Sequence, residues 1–145
     1  MKKNEVSNNK GFSLVELIVV IAIMAVLVGV LAPLFIRYVE KAREGTDLQN
    51  LDSIITTVEA YYSDKETPPP TVTLTLGSTV SDATLEAELI AAGIIQNAGD
   101  SLPKKGTGWT ADPGVTYTPS TGAKVYSGTS NYYDVTDTSQ PPKAK

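Results

Sequence analysis

Between Leu17 and Ile36 the chain runs for twenty residues without a charge, most of them apolar. As an α-helix such a run extends about 30 Å, roughly the hydrocarbon thickness of a bilayer. In lipid, only a helix or a closed barrel satisfies every backbone polar group, so a single run of this kind is expected as a helix that spans a membrane or passes through one. Lys10 and Gly11 precede it, and Glu16 stands just before its first residue. A carboxylate costs on the order of 2.5 to 3.5 kcal/mol at mid-membrane and less near a helix end. Glu16 therefore either reaches the headgroups or takes a proton, or it awaits a positive partner from another chain.

The remaining composition narrows the function. A chain of 145 residues leaves one modest domain beyond the apolar run. There is no cysteine and no histidine, which removes disulfides, Cys or His nucleophiles, His general bases and most zinc chemistry. An enzyme is not expected, and no cofactor. The net charge is −4; residues 1–11 hold Lys2, Lys3 and Lys10 against Glu5, a sum of +2, so the chain without them carries −6. An acidic chain has no general attraction for nucleic acid, and no direct nucleic-acid binding is expected. A secretory signal has a shorter apolar region followed by small residues, whereas this run is long and is followed by Arg37, Lys41 and Arg43. Those three cations match in number the three before the run, so the positive-inside rule leaves orientation open.

The order basic leader, Gly11, Phe12, Ser13, Leu14, Val15, Glu16, apolar helix resembles the type IV pilins and the pseudopilins of type II secretion and DNA uptake. The resemblance is close over residues 10–36 and looser along the following helix. It implies a leader cut after Gly11 by a prepilin peptidase and N-methylation of the new N-terminus at Phe12. It also implies assembly of a helical homo-oligomer in which Glu16 is the assembly acid, with an assembly ATPase and a membrane platform protein as partners. The subunit would be a single-pass membrane protein first and part of a surface filament afterwards, with its N-terminus inside before assembly. The implied fold is α+β, a long N-terminal helix packed on a small antiparallel sheet of three to four strands. Absence of cysteine departs from the many Gram-negative pilins that close their C-terminal region with a disulfide, and points towards a Gram-positive lineage. Gly29 and Pro33 stand four apart, so the proline removes the hydrogen bond to the Gly29 carbonyl. A tolerated membrane-helix kink and, by resemblance, local melting in the filament are compatible readings.

Taken in order, residues 1–11 are expected as a leader, 12–36 as the membrane and filament-core helix, 37–66 as its amphipathic continuation, 67–140 as an α/β head and 141–145 as a disordered tail. Leu48, Leu51, Ile55, Val58 and Tyr62, widened by Ile54 and Tyr61, form one apolar stripe, with Asp47, Asp52 and Glu59 placed opposite. Gly45, within the helix, is expected as a bend or a tolerated glycine at about 1 kcal/mol. Pro68, Pro69 and Pro70 stop the helix. A strand at Thr71–Leu76 and a helix at Ser81–Ile95, capped by Ser81 or Asp82 and ended by Gly93, follow. Strands are expected at Val115–Thr118, Ala123–Tyr126 and Tyr132–Thr136, with turns at Asp112–Gly114, Pro119–Gly122 and Gly128–Asn131. About half of Trp109, Tyr117, Tyr126, Tyr132 and Tyr133 should enter the core. Asp112, Asp134 and Asp137 are weak calcium candidates by resemblance, since major pseudopilins bind that ion in this region; as residues they read first as solvated turn acids, and no metal is expected.

The sequence thus favours a filament-forming subunit of a type IV pilus. The alternatives are a pseudopilin of secretion or competence and, from another class, a membrane-anchored binding module that keeps its leader and stays monomeric.

Overall fold

A computed structural model describes residues 11–135 and 137–145. The leader, apart from Gly11, lies outside the described residues, as does Thr136 at the end of an expected strand. The chain divides into two compact units between Arg37 and Tyr38.

Helix α1, Leu14–Ser63, begins in the first unit and continues through Pro33 without interruption. Every residue from Gly11 to Arg37 is exposed. The apolar window has a mean hydropathy of 3.1 and none of the described residues covers it, so by length and composition the segment suffices to cross a membrane. In water a helix so apolar on all sides would be the wrong way out; its surroundings have to be lipid or other protein.

The second unit is built on the rest of α1. Leu51, Ile54, Ile55, Val58 and Tyr62 are buried at helical spacing and form its side of the core. Asp47, expected on the solvent side, is buried on the core side instead, with Glu44 one turn before it. Helix α1 ends after Ser63, ahead of the three prolines.

Strand β1, Val72–Thr75, follows, and then helix α2, Ala83–Ala91. Asp82 caps α2: its Oδ1 accepts from the amides of Thr84 (2.9 Å) and Leu85 (3.2 Å), which satisfies two of the orphan donors of the first turn. Gly93, at φ +73°, ends it with the paired bonds of a Schellman motif, Gly93 N–H to Ile90 O and Ile94 N–H to Leu89 O, both 2.9 Å. Leu85 and Leu89 reach the core from α2, beside Leu76, Ile95 and Leu102.

Three further segments complete the sheet: β2, Trp109–Thr118, β3, Ala123–Ser130, and the short β4, Tyr133–Asp134. A fifth strand, β5, Lys143–Ala144, pairs antiparallel with β4, and the amide of Lys145 adds a bond of 2.9 Å to the Tyr132 carbonyl. The sheet is therefore a five-stranded antiparallel meander in the order β1-β2-β3-β4-β5, not one of three to four strands, and the segment expected as a free tail forms its last edge. Leu74, Val115 and Tyr126 lie side by side across three strands and are buried together. Of the five aromatic candidates, Tyr117 and Tyr126 enter the core.

The expected turn at Asp112–Gly114 is instead an irregularity inside β2, where the register with β3 shifts. Pro113 has no N–H to give to a ladder, and a bulge does not require one. Opposite it, Gly128 sits at φ +131° and a Cβ there would lie 2.8 Å from the Pro113 Cα, so glycine makes the pairing possible. The turn expected at Gly128–Asn131 falls later, since β3 runs on to Ser130.

Candidate functional site

The first candidate site is the start of α1. Ser13 precedes the helix and Glu16 lies three residues on, which is the spacing of a capping box. Glu16 Oε2 accepts from the Ser13 amide at 2.7 Å, and Ser13 Oγ accepts from the Val15 amide at 3.4 Å. Two donors that the helix itself cannot pair are thus satisfied, and the Glu16 carboxylate is folded back along its own chain. Neither sequence reading of Glu16, an acid at the headgroups or one awaiting a partner chain's cation, included this local bond, although Ser-x-x-Glu before an apolar run is a recognised signal. Phe12 is 85 % exposed, and among the described residues nothing lies within 4 Å of the position a Cβ would take at Gly11.

Comparison with known proteins bears on this same segment. Residues 6–32 match the family of the prokaryotic N-terminal methylation motif. The N-terminal segment thus carries the prokaryotic N-terminal methylation motif. Over 58 residues the chain is 31 % identical to the type IV major pilin protein PilA of Myxococcus xanthus (strain DK1622), covering 40 % of this chain and 26 % of that protein. Over 65 residues it is 42 % identical to the prepilin peptidase-dependent protein A of Clostridium perfringens (strain 13 / Type A), covering 43 % of this chain and 46 % of that one. The chain thus spans about a quarter and just under half of these curated relatives. No solved structure matches it.

Further along α1, Gly29 and Pro33 lie within unbroken α-helix, and among the described residues a Cβ at Gly29 would meet nothing within 4 Å. The three aspartates considered for calcium have separate occupations. Asp112 pairs with Lys104 Nζ at 2.9 Å, Asp134 accepts from the Thr129 hydroxyl at 3.1 Å, and Asp137 accepts from the Ser139 amide at 2.9 Å and its hydroxyl at 2.7 Å. Among the described residues no three acids converge as metal ligands.

A second constellation went unseen in the sequence. Glu40, Glu44 and Asp47 occupy successive turns on one face of α1 and clamp the loop before β2. Asp47 accepts from the amides of Lys105 (2.6 Å) and Gly106 (2.7 Å) and from Trp109 Nε1 (2.9 Å). Glu40 accepts from the amides of Thr107 and Gly108 and from the Thr107 hydroxyl. Burial raises the Glu40 carboxyl, but these bonds and Arg43, 3.7 Å away, outweigh it and hold the group below 4.5. Glu44 accepts from the Ser130 hydroxyl at the end of β3. The clamp needs backbone without side chains. A Cβ at Gly106 would come within 2.7 Å of Glu44 Cγ, and one at Gly108 would overlap Glu44 Oε1. Gly45 has its own reason: the Tyr133 hydroxyl packs 3.1 Å from where its Cβ would be. The only sequence signal for the clamp was a run of acids on α1 and a Gly-x-Gly loop sixty residues later, which no local pattern connects.

Proposed function

We propose that this chain is a structural subunit of a type IV pilus, cut after Gly11, N-methylated at Phe12 and polymerised through the first half of α1. The observation that carries the reading is a prepilin-type motif at the start of a helix whose apolar surface is exposed on every side. Such a surface is covered by lipid before assembly and by copies of itself afterwards. Cleavage gives Phe12 an α-ammonium about 6 Å along the axis from Glu16. In an apolar filament core, Glu16 of one copy pairs with the Phe12 ammonium of its neighbour, because leaving either charge alone there is strongly unfavourable. Glu16 then exchanges its own Ser13 amide for a charged partner, which sets subunit register.

Processing falls to a prepilin peptidase, and extraction from the membrane to an assembly ATPase and a platform protein; chemistry is done on this chain and not by it. Local melting between Gly29 and Pro33 fits the same assembly, since the bond missing at the proline is the weakest point of the helix. A pseudopilin of secretion or DNA uptake shares motif and helix, and the name of the Clostridium relative states peptidase dependence without stating a pilus. Electron microscopy of material sheared from cells separates these readings. Long filaments containing the chain, absent in Glu16→Ala, are expected. Filaments of equal number in Glu16→Ala would refute the role of Glu16, and a chain retained wholly in the membrane as monomer would refute the filament.

A further inference from the structure

Glu44 is the acid of the clamp whose pairing is incomplete. It is 0 % exposed, and among the described residues its Oε1 has no hydrogen-bond partner. Oε2 accepts from the Ser130 hydroxyl. That hydroxyl is committed as a donor, because its oxygen already accepts from the amides of Tyr132 (3.0 Å) and Tyr133 (3.1 Å).

Nor does a cation balance the group. Among the described residues no Lys or Arg pairs with Glu44; Arg43 turns to Glu40, and Lys145 Nζ donates to the Ser130 carbonyl at 2.7 Å. From α1 the facing charges are the carboxylates of Glu40 and Asp47. The loop contributes Trp109, and β4 contributes the phenol of Tyr133, which stacks on Trp109 with ring centroids 6.0 Å apart. A buried carboxylate with one bond and two like charges beside it is a poor place for an anion. A proton on Oε1 removes that charge.

We propose that Glu44 is held protonated on Oε1 in the folded chain and acts as a pH-operated latch: neutral, it lets the 105–109 loop and the β3–β4 turn close over it, and ionised, beside Glu40 and Asp47, it draws in water and opens that closure. Burial is the main influence raising this carboxyl above 4.5; the Ser130 bond opposes it, and Glu40 and Asp47 push it up again. An acid raised on folding contributes stability that is fully present below 4.5 and is lost as pH rises through the folded value. Opening works against the Ser130 bond, which favours the anion, and is driven by burial and by Glu40 and Asp47; it uncovers the turn that carries Tyr133 and, by the stacked pair, Trp109, the chain's one tryptophan.

The test uses the full chain in detergent micelles. The Glu side-chain carboxyl carbons are titrated by NMR, the Glu44 signal being the one missing in Glu44→Gln, and Trp109 emission is followed over the same range. The wild type is expected to show Glu44 titrating above 4.5, with a red shift of Trp109 emission at the same midpoint. Glu44→Gln, a neutral stand-in for the protonated acid, loses that shift. Ser130→Ala removes the one bond that favours the anion and moves the midpoint further up. A Glu44 carboxyl titrating at or below 4.5 in the wild type overturns the proposal without reference to any variant. So does Trp109 emission that shifts with pH equally in Glu44→Gln.

Discussion

Gly108 lies where a side chain would collide with Glu44, and Gly106 where one would meet Glu44 and Asp47 together. Overpacking of a closed site costs about 1 to 3 kcal/mol. Gly108→Ala is therefore expected to lower the stability of the second unit by about that amount, read from chemical denaturation followed by Trp109 fluorescence. An unchanged midpoint would mean that the clamp yields without cost. The proposed assembly role of Glu16 can be separated by substitution from its capping bond to the Ser13 amide. Glu16→Gln keeps an oxygen for the Ser13 amide and so keeps the capping box, but it has no charge for a neighbour's ammonium. It should preserve helix-start protection in hydrogen exchange and still fail to assemble. Glu16→Ala should lose both, the cap amounting to about 1 kcal/mol. At this scale the motif was legible in the sequence because its residues are contiguous, while the bond from the Ser13 amide to Glu16 was missed. Asp47 was misread as solvated, because the amides that satisfy it come from Lys105 and Gly106.

Among the elements, α2 depends on a single carboxylate. Asp82 caps its first turn, accepts the Thr84 hydroxyl at 2.6 Å and receives the Tyr62 hydroxyl at 3.1 Å from the last turn of α1. Asp82→Ala is expected to destabilise by about 1 to 2 kcal/mol in urea denaturation followed by circular dichroism. Its pH signature has two sides. The Thr84 hydroxyl leads the bonds that hold Asp82 below 3.8, so its contribution is present above 3.8 and fades as pH falls beneath it. Tyr62 is pushed up to about 12 by burial first and then by Asp82, so its neutral phenol contributes stability fully below 10.0 that is lost as pH rises towards about 12. In Asp82→Ala the highest phenolate transition should move down in an ultraviolet titration; an unmoved transition would break the assignment. The elements themselves were mostly visible in the sequence: the stripe of α1, the cap and glycine stop of α2, and the alternation of β1. The continuous β2 was not, since Asp112-Pro113-Gly114 carries every mark of a turn and only Gly128, on the neighbouring strand, turns it into a bulge. The two residues of β5 were also hidden, because Lys143 and Ala144 have no strand propensity and are held by pairing alone.

Over the whole molecule, two units divide the work. The described residues of the first form no core and leave the apolar run exposed; the second closes a core from α1, α2 and the sheet. A core truncation such as Leu51→Ala should cost about 2 to 5 kcal/mol in the second unit, read by denaturation, and leave the prepilin-type segment chemically intact for cleavage. The account as a whole rests on that cleavage. It is tested most directly by intact mass and N-terminal sequencing of protein sheared from the cell surface. A chain beginning at N-methylated Phe12, recovered in high-molecular-weight filaments, is the result expected. A chain that still begins at Met1 and stays in the membrane would contradict the account and leave the apolar helix as a plain anchor.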